Sequence, residues 1–474
     1  MNYFLKIRLT KLVACLFLIA AQPAVALEIE SDLEYLTSPK TTIKALHRLF
    51  VGVPVSESMS FGQSIYSGAY GDGGGAFFWG FEGVKRFSTS QRTNLAFSGF
   101  IGGGGGASQV VGDGTMYRFG AIGEYNLNSS WSVRAGVSYI SISGAPIDDW
   151  ATTIGLKYQL EPKSEAIDIG HLNLARASVR TSRLEFPSNL SRSRTSQNPL
   201  TLIGAEASFG LLNGYETFVG ADGAVSGGDG YMQVTGGLRK RWPLGPVALF
   251  GQSSIGFGGG GDVDTGGGFI AGASLGVAVP VGKDFNVELA YGTLNALSTN
   301  VAGNGAQLKL TRVFAHDSMG TIHTEQQHWQ LGLGFSVQEP NTTYMKSRSN
   351  INIQPMMQES SIDYFLTDSV YLTGNAQTTV SGGVAGYAVG LLGLGREFPI
   401  GDQWRFSLET HVGAAGGGGV DVGRGLLGGA RVEVDYILDP KNAVSVGLGV
   451  LQSFDGGMRV PVLQFGYKHR FTTN

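Results

Sequence analysis

Residues 404–413 read WRFSLETHVG and alternate between two kinds of side chain. The first set is mostly apolar and the second is polar or small: Trp404, Phe406, Leu408, Thr410 and Val412 against Arg405, Ser407, Glu409, His411 and Gly413. Because successive side chains of a strand point to opposite faces, this segment is expected to be a β-strand with one apolar and one polar face. Residues 285–292 and 431–436 show the same alternation.

The composition supports an all-β fold. The 474 residues include 74 glycines, and only 15% of the residues are charged. The glycines follow no collagen-like period and lie among aromatic and β-branched residues. After the first 26 residues there is no long amphipathic helical pattern and no run of 18 apolar residues.

Three blocks of the sequence resemble one another. Glycine runs at 101–106, 257–261 and 415–419 begin 156 and 158 residues apart. A second landmark is a glycine followed twelve residues later by an aromatic side chain: Gly75 and Phe87, Gly230 and Trp242, Gly386 and Phe398. Landmarks repeating in register indicate a triplicated unit. We predict barrel blocks at 27–160, 161–314 and 315–474.

Residues 1–26 are predicted to be a signal peptide. A basic start is followed by an apolar core from Leu12 to Ala21 and a small-x-small site at Ala24–Ala26. A lipoprotein signal ending at Cys15 is the alternative, but the apolar run continues past that cysteine. Cleavage after Ala26 would leave a chain without cysteine and move the formal charge from −3 to −6. Such a mildly acidic chain is not expected to bind nucleic acid.

Strand length, turns and aromatics favour a membrane barrel over a soluble β-sandwich. The alternating segments run for about 10–14 residues, close to what a tilted membrane strand needs. Tight turns such as 281–284, 400–402 and 439–442 alternate with glycine-rich or longer loops. Aromatic residues cluster beside the tight turns, as in an interfacial girdle: Phe87, Trp131, Trp242, Phe285, Phe398 and Trp404.

The last strand resembles the C-terminal signature of Gram-negative outer-membrane β-barrel proteins, a porin-like class. Its aromatic and apolar residues occupy alternate positions: Leu463, Phe465, Tyr467, His469 and Phe471. Two features depart from that signature, since residues 472–474 follow the phenylalanine and His469 replaces a more apolar residue. The resemblance implies location in the outer membrane and contact with its lipid, with lipopolysaccharide and with the barrel-assembly machinery.

The strand count leaves two architectures open. We expect a transmembrane antiparallel β-barrel of about 22–24 strands in one barrel, because the joins between blocks are as short as turns within them. The first block shows six clear strands and one or two further ones within 27–56. The alternative is three tandem small barrels of about eight strands each.

The inward charges of the third block are the candidate pore lining: Arg396, Arg405, Glu409, His411, Arg431, Glu433 and Asp435. The first block looks less charged inside, with Glu124 and Arg134 as its main candidates. We therefore favour a pore or transport/export channel for an unidentified solute or polymer. A structural or surface-interaction protein with a closed lumen is the alternative. A lipid-modifying barrel enzyme depends only on Ser407 and His411, and we predict no enzyme.

A second group of charges is predicted to form a basic loop on the outer rim: Arg180, Arg183, Arg192 and Arg194. Arginine suits phosphate groups, so this loop could contact lipopolysaccharide. The glycine runs are not phosphate loops, because none opens a helix or is followed by Gly-Lys-Ser/Thr. They are interpreted as sharp turns, strand bends and flexible rims. No cofactor or metal is predicted.

Overall fold

The computed structural model of the chain describes residues 27–106, 110, 112–160, 174–186, 191–193, 195–314, 327–347 and 353–473. The predicted signal peptide therefore lies outside the described residues. Within them the chain forms 24 β-strands and one short 3-10 turn at Leu212–Gly214. All neighbouring strands pair antiparallel.

The strands fall into three groups of eight. The first holds β1 Leu27–Leu36, β2 Ile43–Ser56, β3 Met59–Gly71, β4 Phe77–Ser88, β5 Thr93–Gly105, β6 Thr115–Asn126, β7 Trp131–Ile142 and β8 Asp148–Leu160. The second holds β9 Leu174–Glu185, β10 Leu200–Gly210, β11 Tyr215–Ser226, β12 Met232–Leu244, β13 Val247–Gly259, β14 Phe269–Val281, β15 Phe285–Ala296 and β16 Ala302–Val313. The third holds β17 Gln327–Gln338, β18 Met356–Phe365, β19 Val370–Ser381, β20 Ala388–Ile400, β21 Trp404–Gly416, β22 Leu426–Ile437, β23 Asn442–Ser453 and β24 Arg459–Thr473.

Each group closes on itself, so the protein has three eight-stranded barrels, named barrels 1, 2 and 3 in chain order. The closing pairs are β1 with β8, β9 with β16 and β17 with β24. The total of 24 strands lies within the expected range, and the alternative of three small barrels is confirmed. The favoured single wide barrel is wrong. Its physical basis was the shortness of the joins between blocks, but strand pairing, not join length, decides where a sheet closes.

The two ends of every barrel differ. One end, here the short-turn end, carries tight connections such as 245–246, 282–284 and 401–403. The other, the long-loop end, carries the glycine-rich segments and connections as long as 339–355. The first and last strands of each barrel begin and finish at the short-turn end. This is the arrangement that bacterial outer-membrane barrels share.

The barrels are polar inside and apolar outside. On the outer face the side chains of Leu275, Ile255 and Tyr291 are 72%, 66% and 65% exposed. Along β21 the predicted alternation is confirmed, since Arg405, Ser407 and Glu409 are buried while Trp404 and Leu408 are exposed. Such a surface is favourable only when lipid covers it, since an apolar surface of this extent is rare on soluble proteins.

An aromatic girdle surrounds the short-turn end. Four of the aromatic side chains that the sequence placed beside tight turns project outward and are exposed: Phe87, Trp131, Trp242 and Trp404. Aromatic rings at this level match the boundary between lipid tails and headgroups.

The described part of the chain contains no helix with the length and hydropathy needed to cross a bilayer.

The three barrels form a ring in which each contacts the other two. Barrels 1 and 2 meet where the rings of His47 and Phe257 stack at 4.6 Å. Barrels 1 and 3 share a hydrogen bond of 2.7 Å from Gln63 Nε2 to Ser360 Oγ. Barrels 2 and 3 are joined at the long-loop end by an ion pair between Lys346 and Asp229.

Three equivalent glycine junctions hold this ring at the long-loop end. Gly105, Gly259 and Gly416 are the last residues of β5, β13 and β21. A Cβ on any of them would lie closer than 3.0 Å to the backbone of a glycine in the neighbouring barrel, namely Gly386, Gly75 and Gly230 respectively. These partners have φ of +81°, +86° and +85°, which favours glycine. The glycine runs are therefore contacts between barrels, a role that the prediction of turns and flexible rims missed.

Candidate functional site: layered barrel interiors

The interior of barrel 1 contains a dense network of ion pairs. Strand β1 points four acidic side chains inward: Glu28, Glu30, Asp32 and Glu34. The guanidinium of Arg48 contacts Glu30 at 2.8 Å, Asp32 at 2.5 Å and Glu82 at 2.8 Å, with all four side chains fully buried. Arg118 pairs with Glu34 at 2.6 Å.

The expectation that block 1 is the less charged one is therefore wrong. Glu124 and Arg134 do face the interior. The larger contribution comes from the alternating LEIESDLE at 27–34, part of the segment 27–56 for which the sequence predicts one or two further strands. Its Glu and Asp residues recur at every second position, a signal that a polar barrel interior explains and a soluble sheet does not.

Barrel 2 is organised around one carboxylate. Glu206 accepts hydrogen bonds from Arg180 at 2.5 Å and from Lys309 at 2.9 Å, and a further one from Arg239. Arg180 also binds Asp222, at 2.7 Å. Three cations therefore surround the single carboxylate of Glu206. Further negative charge in this interior comes from Glu216, Asp222 and Glu288, each paired with an arginine.

The predicted basic rim loop is only partly a loop. Arg180 and Arg183 lie on strand β9, Arg180 buried inside barrel 2 and Arg183 exposed beside Glu185. The inward alternation of β9 continues to Leu184 and the strand ends at Glu185, so the connection begins later than predicted. Arg192 does lie in that connection, where it pairs with Asp72 of barrel 1. Arg194 lies outside the described residues.

In barrel 3 the structure brings together six of the seven candidate lining residues. Arg405 contacts Asp435 at 3.0 Å, and Arg431 contacts Glu409 at 2.5 Å. Lys468, which the sequence reasoning did not single out, lies 3.1 Å from both Glu433 and Asp435. His411 Nε2 is 3.0 Å from Glu409 Oε2.

Arg396 is the exception among these candidates. It is exposed on the outer face of barrel 3, and its guanidinium lies over the ring of Phe398 at 5.2 Å. Strand β20 points its odd-numbered residues inward, so Glu397 and not Arg396 faces the interior. The placement of Arg396 in the lumen is therefore corrected.

The two residues behind the enzyme alternative do not form a catalytic pair. His411 contacts Glu409, whereas the buried Oγ of Ser407 has no hydrogen-bond partner within the described chain. A nucleophile and its base need to lie within hydrogen-bond reach of each other. The geometry gives no support to that alternative.

Above the charged layer, each barrel is closed at the long-loop end by a cluster of apolar side chains, here called the apolar plug. In barrel 1 it includes Phe78, Phe100, Met116 and Ile140, and in barrel 2 Phe186, Leu200, Tyr231 and Val301. In barrel 3 it includes Tyr344, Tyr387, Leu427, Met458 and Val460. Eight-stranded barrels are narrow enough for side chains to fill the interior in this way.

The plug of barrel 3 is completed from the connection 339–355. Tyr344 lies in that connection, is almost fully buried, and donates a hydrogen bond from Oη to Gln338 Oε1 at 2.9 Å. Burial raises the pKa of Tyr344 well above its ordinary value, so the phenol stays neutral. A neutral, hydrogen-bonded tyrosine can therefore close the mouth without adding charge to it.

Below the plugs the interiors are largely polar, although a smaller apolar cluster also lies inside barrel 1 and inside barrel 2: Phe50, Val84, Ala96 and Ile122, and Phe250, Ala278 and Ala290 respectively. Barrel 2 encloses a cavity of about 80 Å³ lined by Arg180, Gln233, Thr235, Gln252 and Gln307. A cavity of about 10–15 Å³ is enough for one water molecule, so this cavity has room for water. Several buried inward oxygens accept no hydrogen bond from the described protein: Glu34 Oε2, Glu288 Oε2, Glu359 Oε2 and Gln377 Oε1. Buried polar atoms of this kind are normally satisfied by water.

Barrel 3 opens to a wider vestibule at the short-turn end. This cavity has a volume of about 460 Å³ and is lined by charged residues including Asp402, Arg405, Lys441 and Arg470. In all three barrels a layer of buried charges thus lies beneath an apolar plug.

No protein-family model and no curated protein matches the chain. Among solved structures, the siderophore receptor PirA from Pseudomonas aeruginosa is 12% identical, with 95% of this chain and 80% of that chain covered and a TM-score of 0.29. PirA from Acinetobacter baumannii is 10% identical, with 95% and 81% covered and a TM-score of 0.30. The outer membrane protein opdK from Pseudomonas aeruginosa is 8% identical, with 95% and 99% covered and a TM-score of 0.22.

At such low identities and TM-scores, no function is transferred from these proteins to this chain. The geometry of the chain itself decides its class. Its three closed antiparallel barrels have polar interiors, apolar exteriors and an aromatic girdle at the short-turn end. This combination is the one that outer-membrane barrels of Gram-negative bacteria show, and it makes the chain a transmembrane β-barrel protein.

Proposed function

We propose that the chain is a pore-type outer-membrane protein with three narrow conduction paths, one through each barrel, and that the apolar plugs hold these paths closed. Water and small ions would occupy the polar chamber from the short-turn end. The plug would act as a hydrophobic gate, which blocks ions by excluding water. Passage of a polymer through one barrel is not proposed, because an eight-stranded interior is filled by side chains.

The observation that carries this proposal is the layering of the interior. A polar chamber containing buried charges and oxygens in need of water lies below the plug in each barrel. In barrel 3 the barrier to ions is then concentrated in this apolar layer, whereas barrels 1 and 2 contain a second, smaller apolar cluster toward the short-turn end. Movement of that layer, rather than of the whole ion-pair network, would open the path.

A closed structural or surface-interaction protein is the second candidate. It is favoured by the burial of Arg48, Arg118 and Arg134, which are each at most 1% exposed and held among carboxylates. A network so tightly paired would cross-brace the barrel wall even if no ion ever passed. Contact with lipopolysaccharide and insertion by the barrel-assembly machinery are proposed for both candidates. Arg424, 75% exposed at the long-loop end, is suited to a lipid phosphate.

Making the plug of barrel 3 polar is expected to open its path. The double variant Leu427→Ser/Val460→Ser replaces two fully buried side chains of the plug. Removing that apolar surface lowers the cost of wetting, and each 1.4 kcal/mol or so changes a population by about tenfold. We expect the open probability in planar-bilayer recordings to rise at least about tenfold over the largely closed native protein.

The matched control is Leu448→Ser/Val446→Ser, the same pair of substitutions on the lipid-facing side of β23. It should leave the recordings unchanged. If the plug variant folds, as judged by circular dichroism, and conducts no more than the control, the pore proposal fails and the structural role replaces it.

A further inference from the structure

A separate cavity lies between the barrels, on the axis of the ring. Its volume is about 910 Å³, and residues of all three barrels line it. Barrel 1 contributes Ile65 and Phe77, barrel 2 Ile203 and Val234, and barrel 3 Ile362 and Leu392. The volume lies within the range of about 300–1,000 Å³ that small-molecule sites occupy.

The wall of this cavity is made of lipid-type surface. The six side chains just named alternate with the inward residues of their strands, so they belong to the outer faces of the barrels. Small residues keep this space open, notably Ala376 and Gly390 of barrel 3. Large side chains at these positions would fill it and bring the barrels into contact. A Cβ added at Gly390 would meet no atom within 4 Å.

The cavity is closed on the side of the long loops. The glycines of the three junctions, among them Gly75, Gly230 and Gly386, are also part of its wall. Most of the other wall residues lie in the half of their strands next to those junctions, whereas Leu331 and Ile362 carry the wall toward the short-turn end. Access from the long-loop side is therefore blocked by backbone packed against backbone.

We infer that this axial cavity holds acyl chains of phospholipid. Water would find few partners on such a wall, and an unfilled space of this size would forfeit dispersion contacts on every side. Hydrocarbon matches the wall and is the surrounding solvent of the barrels. The glycine junctions close the side on which lipopolysaccharide resides, so the chains come from the opposite leaflet, which in an outer membrane is phospholipid.

The test measures lipid that stays with the purified protein. After exchange into a delipidating detergent, mass spectrometry of the folded protein should find at least one phospholipid per chain. The variant Ala376→Leu/Gly390→Leu fills the cavity and should lose most of that lipid. The control Gly83→Leu lies on the outer face of β4, where an added Cβ meets only Met59, and should retain it.

A second measurement leaves the wall intact. Trp79 lines the cavity and is only 7% exposed, whereas Trp404 is 47% exposed on the outer girdle. Two variants are made, each keeping either Trp79 or Trp404 as its only tryptophan. When each is refolded with phospholipid brominated on its acyl chains, the bromine should quench the tryptophan fluorescence of both variants. After the lipid is diluted with unlabelled phospholipid, quenching of Trp404 should vanish at once and that of Trp79 should persist.

Three results would overturn the inference: native protein without bound phospholipid, equal lipid content in the filled variant and the control, or no quenching of Trp79. Retention of lipopolysaccharide or detergent alone would also overturn it. None of these results bears on conduction through the barrels, so the pore proposal and this inference can fail separately.

Discussion

The Arg48→Leu variant is expected to lower the free energy of unfolding of barrel 1 by about 3–5 kcal/mol, the usual cost of leaving buried partners uncompensated. Arg48 is fully buried and lies between three fully buried carboxylates, those of Glu30, Asp32 and Glu82. Leucine would fill part of the volume but leave three anions facing one another without their shared cation.

Urea unfolding in detergent micelles measures this effect, with Trp131 kept as the only tryptophan so that fluorescence reports barrel 1. Arg92→Leu is the control, since Arg92 is exposed in a turn of the same barrel. It should change the unfolding free energy by less than about 0.5 kcal/mol. Arg48→Lys should recover only part of the loss, because lysine keeps the charge without the planar fork. Equal unfolding free energies for Arg48→Leu and Arg92→Leu would contradict the assigned ion-pair network.

The Gly416→Val variant is expected to separate barrels 2 and 3 at the long-loop end while leaving each barrel closed. A Cβ at Gly416 would collide with the backbone of Gly230, and backbone has little room to yield. Overpacking of this kind costs about 1–3 kcal/mol. That cost shifts a contact equilibrium by about 5–150-fold.

Cross-linking reports the separation. Cysteines replacing Asp229 and Lys346, which form an ion pair across this junction, can be joined by a short thiol-specific linker. The yield should fall in Gly416→Val and stay high in Gly83→Val, a glycine on the outer face of β4 that is outside the junctions and whose added Cβ meets only Met59. An undiminished yield in a folded Gly416→Val protein would show that the glycine junctions do not hold the ring.

The sequence predicted the strands and their faces well, because a two-residue period specifies which side chains share a side. It therefore placed Arg405, Glu409 and Asp435 correctly inside a barrel. It could not specify closure, since a period of two says nothing about which distant strand pairs with β1. That partner is β8, and this pairing, together with those of β9 with β16 and β17 with β24, gives three rings in place of the one expected.

Two other features were missed for physical reasons. The acidic side chains of β1 are absent from the predicted interior charges. Glu and Asp are unfavourable in soluble sheets, and here a polar interior with arginines opposite makes them stable. The glycines at 105, 259 and 416 needed three-dimensional neighbours to explain them. Their contacts join residues more than 150 positions apart, which no local pattern reveals.

The head-to-tail junctions have a consequence for assembly. Barrel 1 presents Gly75 to barrel 2, barrel 2 presents Gly230 to barrel 3, and barrel 3 returns Gly386 to barrel 1. A trimer of separate chains with such heterologous contacts would dissociate on dilution. Here covalent linkage makes association intramolecular, so its stoichiometry is independent of concentration. Each barrel can also change its sequence independently of the other two, which is impossible when a trimer is built from three identical chains.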